Sequence, residues 1–160
     1  MSKQNLKDGD IYFNAIDSLW DTVYFCGEPE TFLKQYKSID EIRRNLFTSH
    51  CCYSEVCNGG FHQFFINPTG VLAPEAALGF KAIGLNSCAD IVEQAISFFG
   101  NSFPREWEKR NSILDKFSEE NLENWNPFFN LDNEFYDALD LKEFLFEKMA
   151  DKYADKFLKK

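Results

Sequence analysis

The sequence contains no long apolar segment. Its first ten residues, MSKQNLKDGD, lack the apolar run of a secretory signal peptide. No stretch approaches the roughly 20 apolar residues of a membrane span. The five cysteines form an odd number in a chain with no export signal, which suits a reducing compartment better than a disulfide framework. We therefore expect a cytoplasmic protein that does not contact a membrane.

Basic residues are scarce relative to acidic ones. The chain has 17 Lys and Arg against 26 Asp and Glu, and its formal net charge is −9. A protein that binds nucleic acid directly needs a basic surface for the phosphates. The composition therefore argues against nucleic acid as a ligand and favours a basic protein partner.

Metal-ligating residues are few and poorly spaced. Cys51, Cys52 and Cys57 follow His50, but a structural zinc site usually has two ligand pairs with gaps of two to four residues. Here two cysteines are adjacent, a second pair is missing, and no redox Cys-x-x-Cys pair occurs. Buried free thiols are the favoured interpretation, so we predict no metal site and no cofactor.

No set of residues has the spacing of a catalytic centre. A nucleophile needs a base and an orienting group, and nothing near His62 supplies them. Asn58-Gly59-Gly60 lacks the Lys and the preceding strand of a phosphate loop. We predict no catalytic residues and no enzyme activity. A ligand-binding domain that uses His62 and the nearby phenylalanines stays open as an alternative.

Aromatic residues, by contrast, are abundant. Eighteen Phe, six Tyr and three Trp indicate an aromatic-rich interior, because each large ring buries on the order of 150–250 Å². Helical periodicity and helix-capping patterns recur along the chain, whereas alternating strand patterns do not. We predict an all-α fold, a compact multi-helix single domain over residues 1–160 with an amphipathic, acidic C-terminal helix.

Some helix boundaries can be predicted from local chemistry. Ser38 and Glu41 have the spacing of a capping box. Asn58-Gly59-Gly60 is predicted to end the helix that follows, because Asn and Gly tolerate left-handed backbone. Residues 124–130 are predicted to form a loop, and Asp140 with Glu143 is predicted to cap the last helix.

The negative charge is concentrated near the C-terminal end. Residues 115–155 contain twelve carboxylates against four lysines, a net charge of −8. In an ideal helix, the acids from Asp140 to Asp155 lie on one side, opposite an apolar stripe. We predict an outward acidic face that binds a partner. Its residues are Asp115, Glu119, Glu120, Glu123, Asp132, Glu134, Asp137, Asp140, Glu143, Glu147, Asp151 and Asp155. An ordinary solvated surface, partly neutralised by neighbouring lysines, is the alternative interpretation.

The segment from Val56 to Asn67, VCNGGFHQFFIN, carries a specific motif of the form N-G-G-F-x-Q-F-F-x-N. With Gly70, it resembles the neisserial DNA-mimic protein family, a bacterial domain long catalogued as of unknown function. The similarity extends from about Ile11 to about Tyr153. The motif residues, which we call the signature, are Asn58, Gly59, Gly60, Phe61, Gln63, Phe64, Phe65, Asn67 and Gly70.

The resemblance implies an all-helical, non-enzymatic protein. It also implies a homodimer that presents carboxylates in place of DNA phosphates to the DNA-binding face of a transcription factor. The signature itself is interpreted as structural: the glycines shape a turn, the phenylalanines fill the core, and Gln63 and Asn67 satisfy backbone groups. An immunity or antitoxin protein that neutralises a basic toxin is a second functional hypothesis, because the same acidic surface would serve it.

Overall fold

The computed structural model describes residues 6–159, and in this range the chain forms α-helices and short 3₁₀ turns without any strand. The predicted all-α fold is confirmed. The helices are α1 (Asp10–Ile16), α2 (Pro29–Ser38), α3 (Glu41–Ile66), α4 (Ala73–Ala82), α5 (Asn86–Ser97), α6 (Trp107–Glu120), α7 (Phe129–Leu139) and α8 (Leu145–Leu158). The 3₁₀ turns are Asp17–Asp21, Pro68–Leu72, Leu122–Asn124 and Leu141–Glu143. Within residues 6–159, no helix combines the length and apolar character needed to cross a bilayer.

Helix α3 is the central element of the fold. It packs against α1, α4, α6, α7 and α8. Its Leu46, Cys52, Val56 and Phe61 are fully buried. Apolar side chains at these spacings cover much of the circumference of the helix, and a helix of that kind must be enclosed by other elements.

The start of α3 differs from the prediction. Asp40, not Ser38, is its N-cap, and its Oδ1 accepts a hydrogen bond from the Arg43 N–H at 3.0 Å. The Ser38 hydroxyl instead donates to the Gln35 carbonyl at 2.7 Å. The predicted capping box is therefore wrong. Extended backbone at Ile39 separates α2 from α3. Asp40 is then three residues before the Arg43 N–H, and an acidic side chain caps a helix well from that position.

The predicted interruption at Asn58-Gly59-Gly60 takes the form of a kink inside α3. Gly59 (φ −156°, ψ 21°) and Gly60 (φ 74°, ψ 178°) leave helical geometry, and the chain resumes a helix at Phe61. The positive φ of Gly60 lies where residues with a β-carbon are strained. Helical geometry therefore ends at the glycines, as predicted, and a second helical segment of α3 begins at Phe61.

The last helix also begins later than predicted. Asp140 (φ 44°) and Phe144 (φ 52°) both adopt left-handed backbone, and the intervening Leu141–Glu143 forms a 3₁₀ turn. Asp140 and Glu143 therefore do not cap α8, and that prediction was wrong. Non-glycine residues rarely take this conformation, so sequence spacing gave no indication of it. The apolar side of α8, with Phe146 and Ala150 fully buried, faces the core as expected.

The interior is a network of aromatic rings. Phe65 and Phe128 have ring centroids 5.2 Å apart, and Phe61 and Phe135 are also 5.2 Å apart in an edge-to-face arrangement. Such pairs contribute roughly 0.5–1.5 kcal/mol each beyond the area they bury. Through these two ring pairs, α3 contacts α7 at Phe135 and the segment just before α7 at Phe128.

Candidate protein-binding surface

Eight of the twelve predicted acidic residues are exposed. They lie on α6, on α7, and in or next to the 3₁₀ turn that follows each of these helices. They are Asp115, Glu119, Glu120, Glu123, Glu134, Asp137, Asp140 and Glu143. None forms an ion pair with a basic residue among residues 6–159. The only basic residues in residues 115–143 are Lys116 and Lys142. We call these eight carboxylates the acidic segment, and their charge is open to solvent.

Asp132 does not belong to an exposed face. It is only 8% exposed, and its Oδ1 accepts a hydrogen bond from the Phe61 N–H at 2.7 Å. The Asn126 amide donates to its other oxygen at 3.3 Å. Burial raises the pKa of this carboxyl group, while the hydrogen bonds from Phe61 and Asn126 act in the opposite direction. The predicted outward position of Asp132 was therefore wrong. Local sequence could not indicate this, because the Phe61 N–H that Asp132 binds lies 71 residues away in sequence.

Glu147 and Asp151 on α8 are also engaged within the fold. Glu147 accepts a hydrogen bond from the Tyr53 hydroxyl at 2.6 Å. Asp151 accepts from the backbone N–H groups of Gly9 at 2.7 Å and Tyr12 at 2.9 Å. A carboxylate in this position stabilises the first turn of α1, which has no capping side chain of its own. Both acids are half-buried.

The acidic ridge predicted along the last helix is therefore wrong in its geometry. Asp140 and Glu143 precede α8, while Glu147 and Asp151 hydrogen-bond to α3 and α1. Asp155 is partly exposed and lies 3.8 Å from the Lys159 ammonium group. Among the twelve predicted acids, those that are exposed and outside any described ion pair lie on α6, on α7 and in or beside the turns that follow them, and none lies on α8.

Two polar residues of the signature converge on one carboxylate. The side-chain amides of Gln63 and Asn67 donate to Glu55 Oε2 at 3.0 and 2.9 Å, and the Thr69 hydroxyl donates to Oε1 at 3.0 Å. The prediction that Gln63 and Asn67 satisfy backbone groups was wrong. Sequence reasoning missed Glu55, although a lone acid just before the signature was a usable signal.

The C-terminal end of α3 is closed by a buried cation. Arg110 is fully buried and donates to the carbonyls of Phe65 at 3.0 Å and Asn67 at 3.2 Å, and to the backbone of residues 104 and 105. Burial lowers its pKa to about 10. Gly70 is buried beside it, and a β-carbon there would lie 3.0 Å from the guanidinium Nε. A cation at helix carbonyls is favourable, which gives Arg110 a structural role.

Phe61, Phe64 and Phe65 fill the core as predicted, and each is fully buried. Asn58 and Gly59 are exposed at the kink, whereas Gly60 is buried. The side chains of the signature therefore pack or hydrogen-bond mainly inside the fold.

The cysteines and histidines do not gather into a metal site in the described part of the chain. Cys51 and Cys52 are buried, whereas Cys57 is exposed; partial desolvation of its thiol and the nearby Glu147 carboxylate raise the pKa of Cys57 to about 11. His50 lies 3.1 Å through Nδ1 from the Tyr12 hydroxyl, and burial lowers its pKa to about 4. At neutral pH the thiols of Cys51, Cys52 and Cys57 are therefore protonated and the His50 imidazole is neutral.

A groove lies between the end of α6 and the start of α7. Its volume is about 630 Å³, and its apolar lining includes Phe117, Trp125, Pro127 and Phe129. A neighbouring concave surface is lined by residues 119–124, which include Glu119, Glu120 and Glu123. We call the first of these the aromatic groove. Sequence reasoning described residues 124–130 only as a loop and missed it.

In the described residues the fold is all-helical, and the acidic segment is exposed and outside any ion pair. These features define the class: an acidic, all-helical protein with carboxylates that face solvent. The chain belongs to the DMP19-like protein family, whose family model matches residues 37–157. This match confirms the resemblance to the DNA-mimic family, and it includes the whole signature and the acidic segment. Searches of the curated proteins and of the solved structures gave no significant match.

Proposed function

We propose that this protein is a DNA mimic that binds the DNA-binding face of a basic protein partner and thereby modulates transcription without catalysing a reaction. The acidic segment takes the place of DNA phosphates. The observation that carries this proposal is a set of eight exposed carboxylates without ion pairs in a member of the DMP19-like family.

Electrostatics support a basic partner. Eight exposed carboxylates against two lysines give residues 115–143 a strongly negative surface, which accelerates encounter with a positively charged protein. Exposed charges are screened beyond about 8–10 Å at physiological ionic strength. The association should therefore weaken steeply as salt rises.

The charge density also limits the mimicry. Duplex DNA carries one negative charge per ~1.7 Å of its axis, whereas neighbouring carboxylates on a helix are ~5–6 Å apart. A partner therefore meets fewer charges here than on DNA. We infer that non-electrostatic contacts contribute to recognition.

The homodimer implied by the family is part of the proposal, and sedimentation at several protein concentrations would test it.

The decisive experiment combines capture with competition. The immobilised protein should retain a DNA-binding protein from native cell extract, and short duplex DNA should release it, because DNA and mimic would share one site. The E119K/E123K variant should lose this capture. The control D90K/E93K changes the net charge equally at two exposed positions on α5 and should retain it.

The proposal fails if duplex DNA does not compete and E119K/E123K captures the same partner as the unmodified protein. Capture of a basic toxin that DNA does not displace would favour the immunity hypothesis instead. Equal loss in both double variants would show that net charge alone, without a defined surface, governs the interaction.

A further inference from the structure

The aromatic groove places large apolar side chains in water beside the acidic segment. Phe129 is 67% exposed and Trp125 is 50% exposed, while Leu122 in the adjoining turn is 80% exposed. Single exposed apolar residues are common on protein surfaces. Several of them around one concave surface, with a charged rim, are typical of a protein interaction site.

The groove is held in shape by hydrogen bonds. The Asn126 side-chain oxygen accepts from the Phe128 N–H at 2.9 Å, and its amide donates to the buried Asp132. On the other side, the Ser118 hydroxyl donates to the Trp125 carbonyl at 3.2 Å. A surface fixed in this way loses little conformational entropy when it binds a partner.

The same hydrogen bonds connect the groove to the signature. Asp132 accepts from the Phe61 N–H at the kink of α3, and the His62 ring lies edge-on to Trp125 with centroids 4.9 Å apart. The signature residues Gly60 and Phe61 lie at the kink, and the Phe61 N–H thereby holds Asp132, which in turn binds Asn126 of the groove. Contacts of Phe61 and His62 therefore help to position the segment that carries the groove.

We propose that the aromatic groove binds an apolar side chain of a basic segment in the protein partner, while Glu119, Glu120 and Glu123 pair with the lysines or arginines that flank it. The inference rests on the proposed function and adds a second, non-electrostatic part to the recognition. Charge complementarity selects this occupant, because the concave surface next to the groove is lined by three carboxylates. An uncharged or acidic segment would leave them unpaired.

Two synthetic peptides of equal length and equal lysine content test this inference. One carries leucine and the other alanine at the positions between the lysines, so that they differ in apolar surface while both favour a helix. Binding is measured by fluorescence anisotropy of the labelled peptides. The leucine peptide should bind about tenfold more tightly, because each leucine buries more apolar surface than alanine.

The F129A variant should weaken binding of the leucine peptide by about tenfold and leave binding of the alanine peptide unchanged. Phe129 is largely exposed, so the fold should be retained, as thermal unfolding would verify. The W125A variant should have the same effect. The matched control is L78A, which removes another exposed apolar side chain from α4 and should change neither affinity.

The outcomes separate the two proposals. If both peptides bind equally and F129A changes neither affinity, the groove inference is overturned and acidic recognition stands. If L78A weakens the leucine peptide as much as F129A does, the groove inference is also overturned. If neither peptide binds, the groove inference is overturned, and the capture and competition experiment decides the proposed function separately. If E119K/E123K binds both peptides as well as the unmodified protein does, the acidic segment does not recognise basic chains and the proposed function fails as well.

Discussion

Gly60 and Asp132 are in direct contact at the kink of α3. A β-carbon at position 60 would lie 2.6 Å from Asp132 Oδ2, and the N–H of the next residue, Phe61, donates to Oδ1. The glycine therefore makes room for a carboxylate from α7, and the kink frees an N–H to bind it. This part of the signature attaches α7, which carries Glu134 and Asp137 of the acidic segment, to the central helix.

The first prediction concerns this contact. G60A should lower the free energy of unfolding by about 2 kcal/mol or more, because it adds both backbone strain and a clash with Asp132. Urea denaturation measures the effect. The matched control is G100A: Gly100 also has a positive φ, of 91°, but no described atom lies within 4 Å of a β-carbon built there. Equal losses in both variants would show that the Asp132 contact contributes nothing.

The second prediction concerns Asp151 as the cap of α1. D151A should lower the free energy of unfolding by about 1–2 kcal/mol, because two N–H groups in the first turn lose their acceptor. D155A, one turn later on the same helix, removes only a long surface ion pair with Lys159 and should cost less than about 0.5 kcal/mol. Thermal unfolding of both variants compares them. A similar cost for the two would contradict a capping role for Asp151.

The third prediction concerns Glu55. Three side-chain donors converge on its carboxylate, so E55Q would turn an amide N–H₂ towards at least one of them. We expect a loss of about 1–3 kcal/mol in the free energy of unfolding. E93Q, at an exposed position on α5, makes the same chemical change without these partners and should be nearly neutral. Chemical denaturation distinguishes this result from a general effect of removing one negative charge.

The sequence was sufficient to predict the all-α fold, the aromatic core and the family. Each depends on local periodicity or on a contiguous motif such as the phenylalanines around Phe64. It was not sufficient to decide which acids face solvent. Asp132 and Asp151 belong to the same acidic stretch, residues 115–155, as the exposed acids, but their partners lie 71 and 142 residues away in the sequence. Only tertiary packing reveals that these two carboxylates stabilise the fold.

The acidic helix was misplaced for a related reason. The spacing of Asp140, Glu143 and Glu147 fits one helical face, but left-handed backbone at Asp140 and Phe144 interrupts the helix. The aromatic groove was missed because Trp125 and Phe129 lie in a segment without periodicity. Its concave shape depends on the hydrogen bonds of Asn126, which cannot be inferred from composition.

The last prediction concerns acid stability and His50. Burial lowers the pKa of His50 to about 4 in the folded protein, whereas the unfolded chain binds this proton near pH 6.5. The unfolded state therefore holds more protons between these values, and stability falls as the pH drops from about 6.5 to 4. The contribution of His50 is fully present above pH 6.5, and its loss amounts to at most about 3 kcal/mol. Carboxylates contribute further pH dependence that is common to all variants.

The H50F variant isolates this contribution, since it keeps an aromatic ring among Tyr12, Trp20 and Tyr53 but cannot bind a proton. Unfolding free energies of the unmodified protein and of H50F should be measured by urea denaturation from pH 8 to pH 4. As the pH falls below 6.5, the unmodified protein should lose unfolding free energy relative to H50F. H62F is the control: the pKa of His62 is also lowered by burial, but Asp115 and Asp132 raise it, so its effect should be smaller. A pH-independent difference between H50F and the unmodified protein would show that the pKa of His50 is the same in the folded and unfolded states.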